Sequence, residues 1–70
     1  MFARNDEYEF RFTRQSGEAK EFGPIEWKDR RTGEIGRADG CLMPQNKFHL
    51  IQKGLFYIER NAARLANRSK

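Results

Sequence analysis

The sequence predicts an α+β domain, a three-stranded antiparallel sheet (β-β-β) followed by one long C-terminal amphipathic helix packed on one face. Three observations predict it: alternating apolar and polar residues in the first half, glycine-containing breaks between the alternating runs, and apolar spacings of three and four after residue 46. Alternation is typical of a strand with one apolar face, and the longer spacings are typical of a helix. At 70 residues, the chain has the length of one small domain, residues 1–70.

The first strand is predicted from an alternating aromatic run. Tyr8, Phe10 and Phe12 are separated by Glu9 and Arg11, so the three rings share one face. Residues 15–18 are polar and include a glycine, which favours a turn.

The second strand is predicted over residues 19–28, with Ile25 and Trp27 on the same face. Gly23 and Pro24 interrupt this run, and proline cannot donate a backbone hydrogen bond to a neighbouring strand. We therefore expect a bulge or an edge position at that point.

Residues 29–33 are predicted to form a second hairpin loop, in which Gly33 is free to adopt a positive φ. A third strand is predicted over residues 34–43. Its signal is weak because Gly36 and Gly40 are poor strand residues.

A long helix is predicted from about residue 46 to residue 67. Asn46 is a candidate N-cap. The helix would place one apolar seam on the sheet, formed by Ile51, Leu55, Ile58, Ala62 and Leu65. A competing prediction remains open, because residues 48–51 and 55–58 are rich in strand formers. With a turn at Lys53 and Gly54, they would extend the sheet to five strands and leave a short final helix.

The charge is unevenly distributed along the chain. The net charge is +4, but residues 1–45 contain eight basic and nine acidic residues, whereas residues 46–70 contain six basic residues and one acid. The positive excess therefore belongs to the predicted helix, where it would attract phosphates or an acidic protein surface.

The residues offer little for catalysis. Cys41 and His49 are the single cysteine and the single histidine, too few for a zinc site without several carboxylates. Cys41, beside Leu42 and Met43, is expected to be a small buried hydrophobic residue. We expect no enzymatic activity, no metal and no cofactor, and one cysteine with no apolar leader favours a cytoplasmic protein.

The polar face of the predicted helix is the candidate contact surface. Lys53, Arg60 and Arg64 are predicted to lie opposite the seam, with aromatic residues nearby. The hairpin loop adds two further basic residues. The full candidate set is Lys53, Tyr57, Arg60, Arg64, Arg68, Arg30, Arg31 and Phe56.

Two functions fit this surface. The first is a non-enzymatic binding or regulatory protein that contacts nucleic acid, DNA or RNA, through the basic helix. The alternative is a small modulator of the phage or plasmid type that binds and inhibits a larger protein or nucleoprotein complex through an acidic surface. A homodimer is possible through the helix seam, and no contact with a membrane is expected.

Overall fold

A computed structural model describes the backbone of residues 1–68, and the side chains of these residues except Ala19 and residues 65–68. The four strands are β1 (Phe2–Arg4), β2 (Tyr8–Phe12), β3 (Phe22–Asp29) and β4 (Ile35–Leu42), and they precede the helix α1 (Lys47–Arg68). The strands form an antiparallel meander in the order β1-β2-β3-β4, with a short 3-10 turn at Gly17–Ala19. The α+β class, an antiparallel sheet followed by a C-terminal helix, is confirmed.

The sheet has four strands, so the prediction of three was wrong. The additional strand is β1, in which Ala3 lies opposite Phe10. It is joined to β2 by a turn in which Asn5 Oδ1 accepts hydrogen bonds from the backbone N–H groups of Glu7 and Tyr8, at 2.9 and 2.7 Å. A strand of three residues is too short to show an alternating pattern, and this is why the sequence did not reveal it.

One face of the sheet carries the core. Phe10 pairs with Trp27, and Phe12 pairs with Ile25, so the aromatic rings of β2 lie beside the large apolar residues of β3. The buried hydrophobic residues are Ala3, Phe10, Phe12, Ile25, Trp27, Cys41 and Leu50. Cys41 is therefore buried as predicted.

The opposite face of the sheet is charged. One row crosses all four strands, because Phe2 lies opposite Arg11, Arg11 opposite Glu26, and Glu26 opposite Arg37. Opposite charges on neighbouring strands suit a face in contact with water. The helix is left to cover the other face.

The loop between β3 and β4 confirms the second predicted hairpin. Asp29 Oδ1 accepts hydrogen bonds from the backbone N–H groups of Arg31 and Thr32, at 2.8 and 3.2 Å. Gly33 has the positive φ expected of it, 79°. The backbone N–H of Arg31 is the main cause that lowers the pKa of the Asp29 carboxyl, because hydrogen bonds to a carboxylate favour its ionised form.

The irregularity expected near Gly23 and Pro24 is also present. The register between β3 and β4 shifts between Gly23 and Ile25. Gly23 pairs with Cys41 and Ile25 with Ala38, so Asp39 and Gly40 together lie opposite Pro24. Gly40 accommodates the resulting bulge with a φ of 69°.

The last element is a single helix of 22 residues, so the competing prediction of two strands over residues 48–58 was wrong. Asn46 is the N-cap, as predicted: its Oδ1 accepts a hydrogen bond from His49 N at 2.8 Å, and its carbonyl accepts one from Leu50 N at 3.0 Å. This cap fixes where the helix begins.

The face of α1 that meets the sheet differs from the predicted seam. Leu50 is fully buried and Gly54 is buried above Phe10, whereas Leu55 is 40% exposed and Ala62 is exposed. Ile51 and Ile58 lie at the side of the contact and pack against the core. The Leu65 side chain lies outside the described residues. The helix is rotated because the backbone at Gly54, which has no side chain, makes the closest approach to the sheet.

Candidate nucleic-acid interface

A cleft of about 780 Å³ separates the second half of α1 from β3 and β4. It exists because the helix rests on the sheet only through its first half. Residues 59–64 are all exposed. The residues that line the cleft include three arginines, one acid and two aromatic residues: Arg37, Arg60, Arg64, Asp39, Trp27 and Tyr57.

The helix contributes two arginines to the cleft. Arg60 and Arg64 are four residues apart and therefore lie one turn apart on the same side of α1. Both are exposed. Neither forms an ion pair with a described carboxylate. The Arg60 guanidinium carbon lies 5.6 Å from the centre of the Phe56 ring, a distance typical of a cation–π contact.

The third arginine comes from the sheet and was missed in the sequence. Arg37 Nε donates to Asp39 Oδ1 at 2.7 Å, and both side chains remain largely exposed. The hydrogen bond to Asp39 raises the pKa of Arg37. Its place in the row with Glu26 puts the Arg37 side chain on the face of the sheet away from α1, so Arg37 lies at the outer edge of the cleft. No sequence pattern links Arg37 to Arg60, since only the fold brings them to one cleft.

Two aromatic residues form the apolar part of the cleft. Trp27 lies so close to the backbone of β4 at Gly36 that any side chain there would overlap the indole ring. Tyr57 packs against the core, and a hydrogen bond to Cys41 together with burial raises the pKa of its phenol. Both rings are therefore held in place by the core, and they form a rigid wall of the cleft beside Arg60 and Arg64.

Three predicted site residues lie elsewhere. The Lys53 ammonium donates to the carbonyl oxygen of Leu42 at 3.0 Å and does not line the cleft. Arg30 donates to the carbonyl oxygen of Asn5 at 2.8 Å, so its guanidinium links the hairpin loop to the turn before β2. Arg31 is exposed in the hairpin loop.

Phe56 does not line the cleft: it is 54% exposed and lies next to Arg60 rather than in the core. The side chain of Arg68 lies outside the described residues. Tyr57, Arg60 and Arg64 are thus the predicted residues that line the cleft.

An apolar stripe runs along the outward side of α1. Phe48 and Leu55 are seven residues apart and share this side, and Phe56 lies about a quarter turn around the helix from them, beside Arg60. All three are exposed. We call these three residues the outward stripe. Leu55 was predicted to lie in the seam on the sheet, so of these three residues only Phe56 was predicted to belong to a contact surface.

Within residues 1–68, none of the helices has the length and hydrophobicity that crossing a bilayer requires. Comparison of the chain with protein-family models, with curated proteins and with solved structures found no match. The cleft and the outward stripe are therefore the two candidate functional surfaces of the described residues.

Proposed function

We propose that this protein is a non-enzymatic binding protein that holds the phosphate backbone of nucleic acid in the cleft between α1 and β4. One observation carries the proposal: Arg60 and Arg64 line the same open cleft from α1, and β4 adds Arg37 at its outer edge. Two cations on one side of a helix with a third nearby suit a polyanion better than a single surface arginine does.

Arginine suits this role because its planar guanidinium donates two parallel hydrogen bonds to one phosphate. Arg60 and Arg64 are about 6 Å apart along the helix axis, from the rise of 1.5 Å per residue. Neighbouring phosphates of a nucleic-acid strand are separated by a comparable distance, so the two guanidinium groups can bind two successive phosphates. Contacts to phosphates alone carry no base preference.

The test is a salt titration of binding. A labelled single strand of about 12 nucleotides is titrated with protein by fluorescence anisotropy between about 50 and 200 mM salt. Three phosphate contacts predict a slope of about −2 for log K against log[salt]. Removing two contacts with Arg60→Gln and Arg64→Gln predicts a slope closer to about −0.7.

The matched control removes the same amount of charge elsewhere. Lys20→Gln with Lys28→Gln lowers the net charge by the same two units, and both lysines are exposed and outside the cleft. The control protein should keep most of the affinity and the slope. Equal losses in both double variants, or no binding of the parent protein at low salt, would contradict the proposal.

The outward stripe favours a second candidate function, modulation of a larger protein by direct docking. An exposed apolar stripe beside Arg60 fits a protein surface in which apolar residues are bordered by carboxylates. Leu55→Gln with Phe56→Gln would abolish inhibition or capture of such a protein and leave the salt slope for nucleic acid unchanged. Loss of both activities together would argue against two separate surfaces.

A further inference from the structure

The free edge of β4 presents unpaired backbone groups near its start, whereas at Leu42 the carbonyl oxygen accepts a hydrogen bond from the Lys53 ammonium. In the described sheet, β4 is an outer strand with β3 on one side only. Asp29 N donates to the Glu34 carbonyl at 2.8 Å, so the N–H and C=O groups at even positions near the start of β4 point toward β3. Because strand residues alternate, the backbone groups of Ile35 and Arg37 point away from the sheet. An edge of this kind is a template for another strand.

The side chains along this edge are arranged symmetrically about Ala38. Arg37 and Asp39 flank Ala38 and carry opposite charges. Because of the bulge, Asp39 and Gly40 together lie opposite a single residue of β3, Pro24, and they count as one position along the paired strands. Leu42 is therefore three positions after Ala38, as Ile35 is three positions before it. Ile35 is 75% exposed and Leu42 is 51% exposed, so both ends of the edge carry an apolar residue without cover.

We propose that the edge of β4 pairs with β4 of a second copy of this chain, antiparallel and centred on Ala38. Each Arg37 then lies opposite Asp39 of the second copy, and each Ile35 lies opposite Leu42 of the second copy. The pairing joins the two four-stranded sheets into one sheet of eight strands. The two Arg37–Asp39 ion pairs, one within each strand, are exchanged for two ion pairs between the strands.

A second copy is the occupant because the pattern is complementary to itself. A two-fold interface requires that residue i meets residue j while j meets i. The sequence of charges and apolar residues around Ala38 satisfies this condition in a single register. The edge is locally neutral, since Arg37 and Asp39 cancel, so two copies with a net charge of +4 each still meet without local repulsion.

The other outer strand does not offer the same surface. β1 has three residues, against eight in β4. In the proposed dimer the two-fold axis is perpendicular to the sheet, because the paired strands are antiparallel within one continuous sheet. Both α1 helices and both arginine clefts consequently lie on the same face of the dimer.

The association is expected to be weak. Pairing of one strand edge buries less than the roughly 1,600 Å² of a standard stable interface. Sedimentation equilibrium over a range up to about 1 mM protein is therefore the suitable measurement. The apparent mass should rise from 8.3 kDa toward twice that value as concentration increases.

Charge exchange tests the register. Arg37→Asp alone places two acids opposite two acids, and Asp39→Arg alone places two bases opposite two bases, so each variant alone should remain monomeric. Mixed in equal amounts, the two variants become complementary and should recover the mass of a dimer. Far-UV circular dichroism should show both variants folded, because both side chains are more than half exposed.

Arg31→Asp is the matched control, since it makes the same charge change in the exposed hairpin loop and should leave dimerisation unchanged. Ile35→Ser gives an independent test without altering charge, and it should weaken the dimer several-fold. A parent protein that is monomeric at the highest concentration overturns the proposal. So does a dimer that persists in Arg37→Asp, or a mixture of the two charge variants that stays monomeric.

Discussion

Gly54 in α1 lies directly against the ring of Phe10 in β2, so closely that a β-carbon at residue 54 would overlap the ring. Glycine in a helix interior normally costs about 1 kcal/mol relative to alanine. Here the same residue lets the helix backbone approach the sheet and leaves the Phe10 ring fully buried. The cost in helix propensity is offset by the close contact it permits.

Gly54→Ala should therefore destabilise the protein even though alanine favours the helix. We expect a loss of about 1–3 kcal/mol in the free energy of unfolding, the usual cost of overpacking a core. Urea denaturation followed by circular dichroism measures it. Gln52→Ala, at an exposed position of the same helix, should change stability by less than about 0.5 kcal/mol.

A double variant separates overpacking from other effects. In a protein that already carries Phe10→Leu, the smaller side chain leaves room for the new methyl group, so Gly54→Ala should cost less than it does alone. Equal costs in both backgrounds, or a stabilising Gly54→Ala, would mean that the contact with Phe10 does not set the position of the helix.

Asn46→Ala should shorten or fray the start of α1. The side-chain oxygen of Asn46 satisfies the backbone N–H of His49, and alanine cannot replace this hydrogen bond. The expected loss is about 1 kcal/mol in the free energy of unfolding. Gln45→Ala is the control, because residue 45 contributes its backbone N–H and not its side chain to the hydrogen bond with His49 Nδ1. Matching losses in the two variants would argue against the cap.

Asp29 should make the stability of the protein depend on pH in the acid range. Its folded-state pKa lies below the ordinary value of 3.8, chiefly because the backbone N–H of Arg31 donates to the carboxylate. A depressed pKa means that the stabilisation is fully present above about pH 5 and is lost as the pH falls through the folded-state pKa. Asp29→Ala should therefore be less stable than the parent protein at neutral pH.

The difference between Asp29→Ala and the parent protein should shrink steadily as the pH is lowered below about 4. Carbon-13 NMR of the Asp29 carboxyl should place its midpoint below 3.8. Asp29→Asn is the informative control, since its side-chain oxygen still accepts from Arg31 and Thr32 but does not titrate. A midpoint at or above 3.8 would contradict the proposed hydrogen bonds.

The sequence predicted those parts of the fold in which a pattern extends over enough residues. The alternation of Tyr8, Phe10 and Phe12 predicted β2, and Gly33 marked the hairpin before β4. β1 was not predicted because three residues are too few to show an alternating pattern of apolar and polar residues. Its place in the sheet depends on pairing with β2 and on the turn made by Asn5, which are contacts that no local pattern encodes.

The candidate site was predicted only in part, for a similar reason. Arg60 and Arg64 share a helix side, and this follows from their spacing alone. Arg37 joins them through the fold, and Lys53 leaves the set because the Leu42 carbonyl captures its ammonium group. The orientation of α1 depends on which residue tolerates the closest approach to the sheet. Apolar periodicity favoured Leu55 for that position, whereas the structure uses Gly54.

Residues 59–64 of α1 have no share in the interior, since all six are exposed. We therefore expect substitutions at these positions to change the surface charge of α1 with little effect on folding, since the core depends on residues such as Phe10, Ile25 and Leu50. A set of variants confined to residues 59–64 should share one fold and differ in the surface that this part of the helix presents.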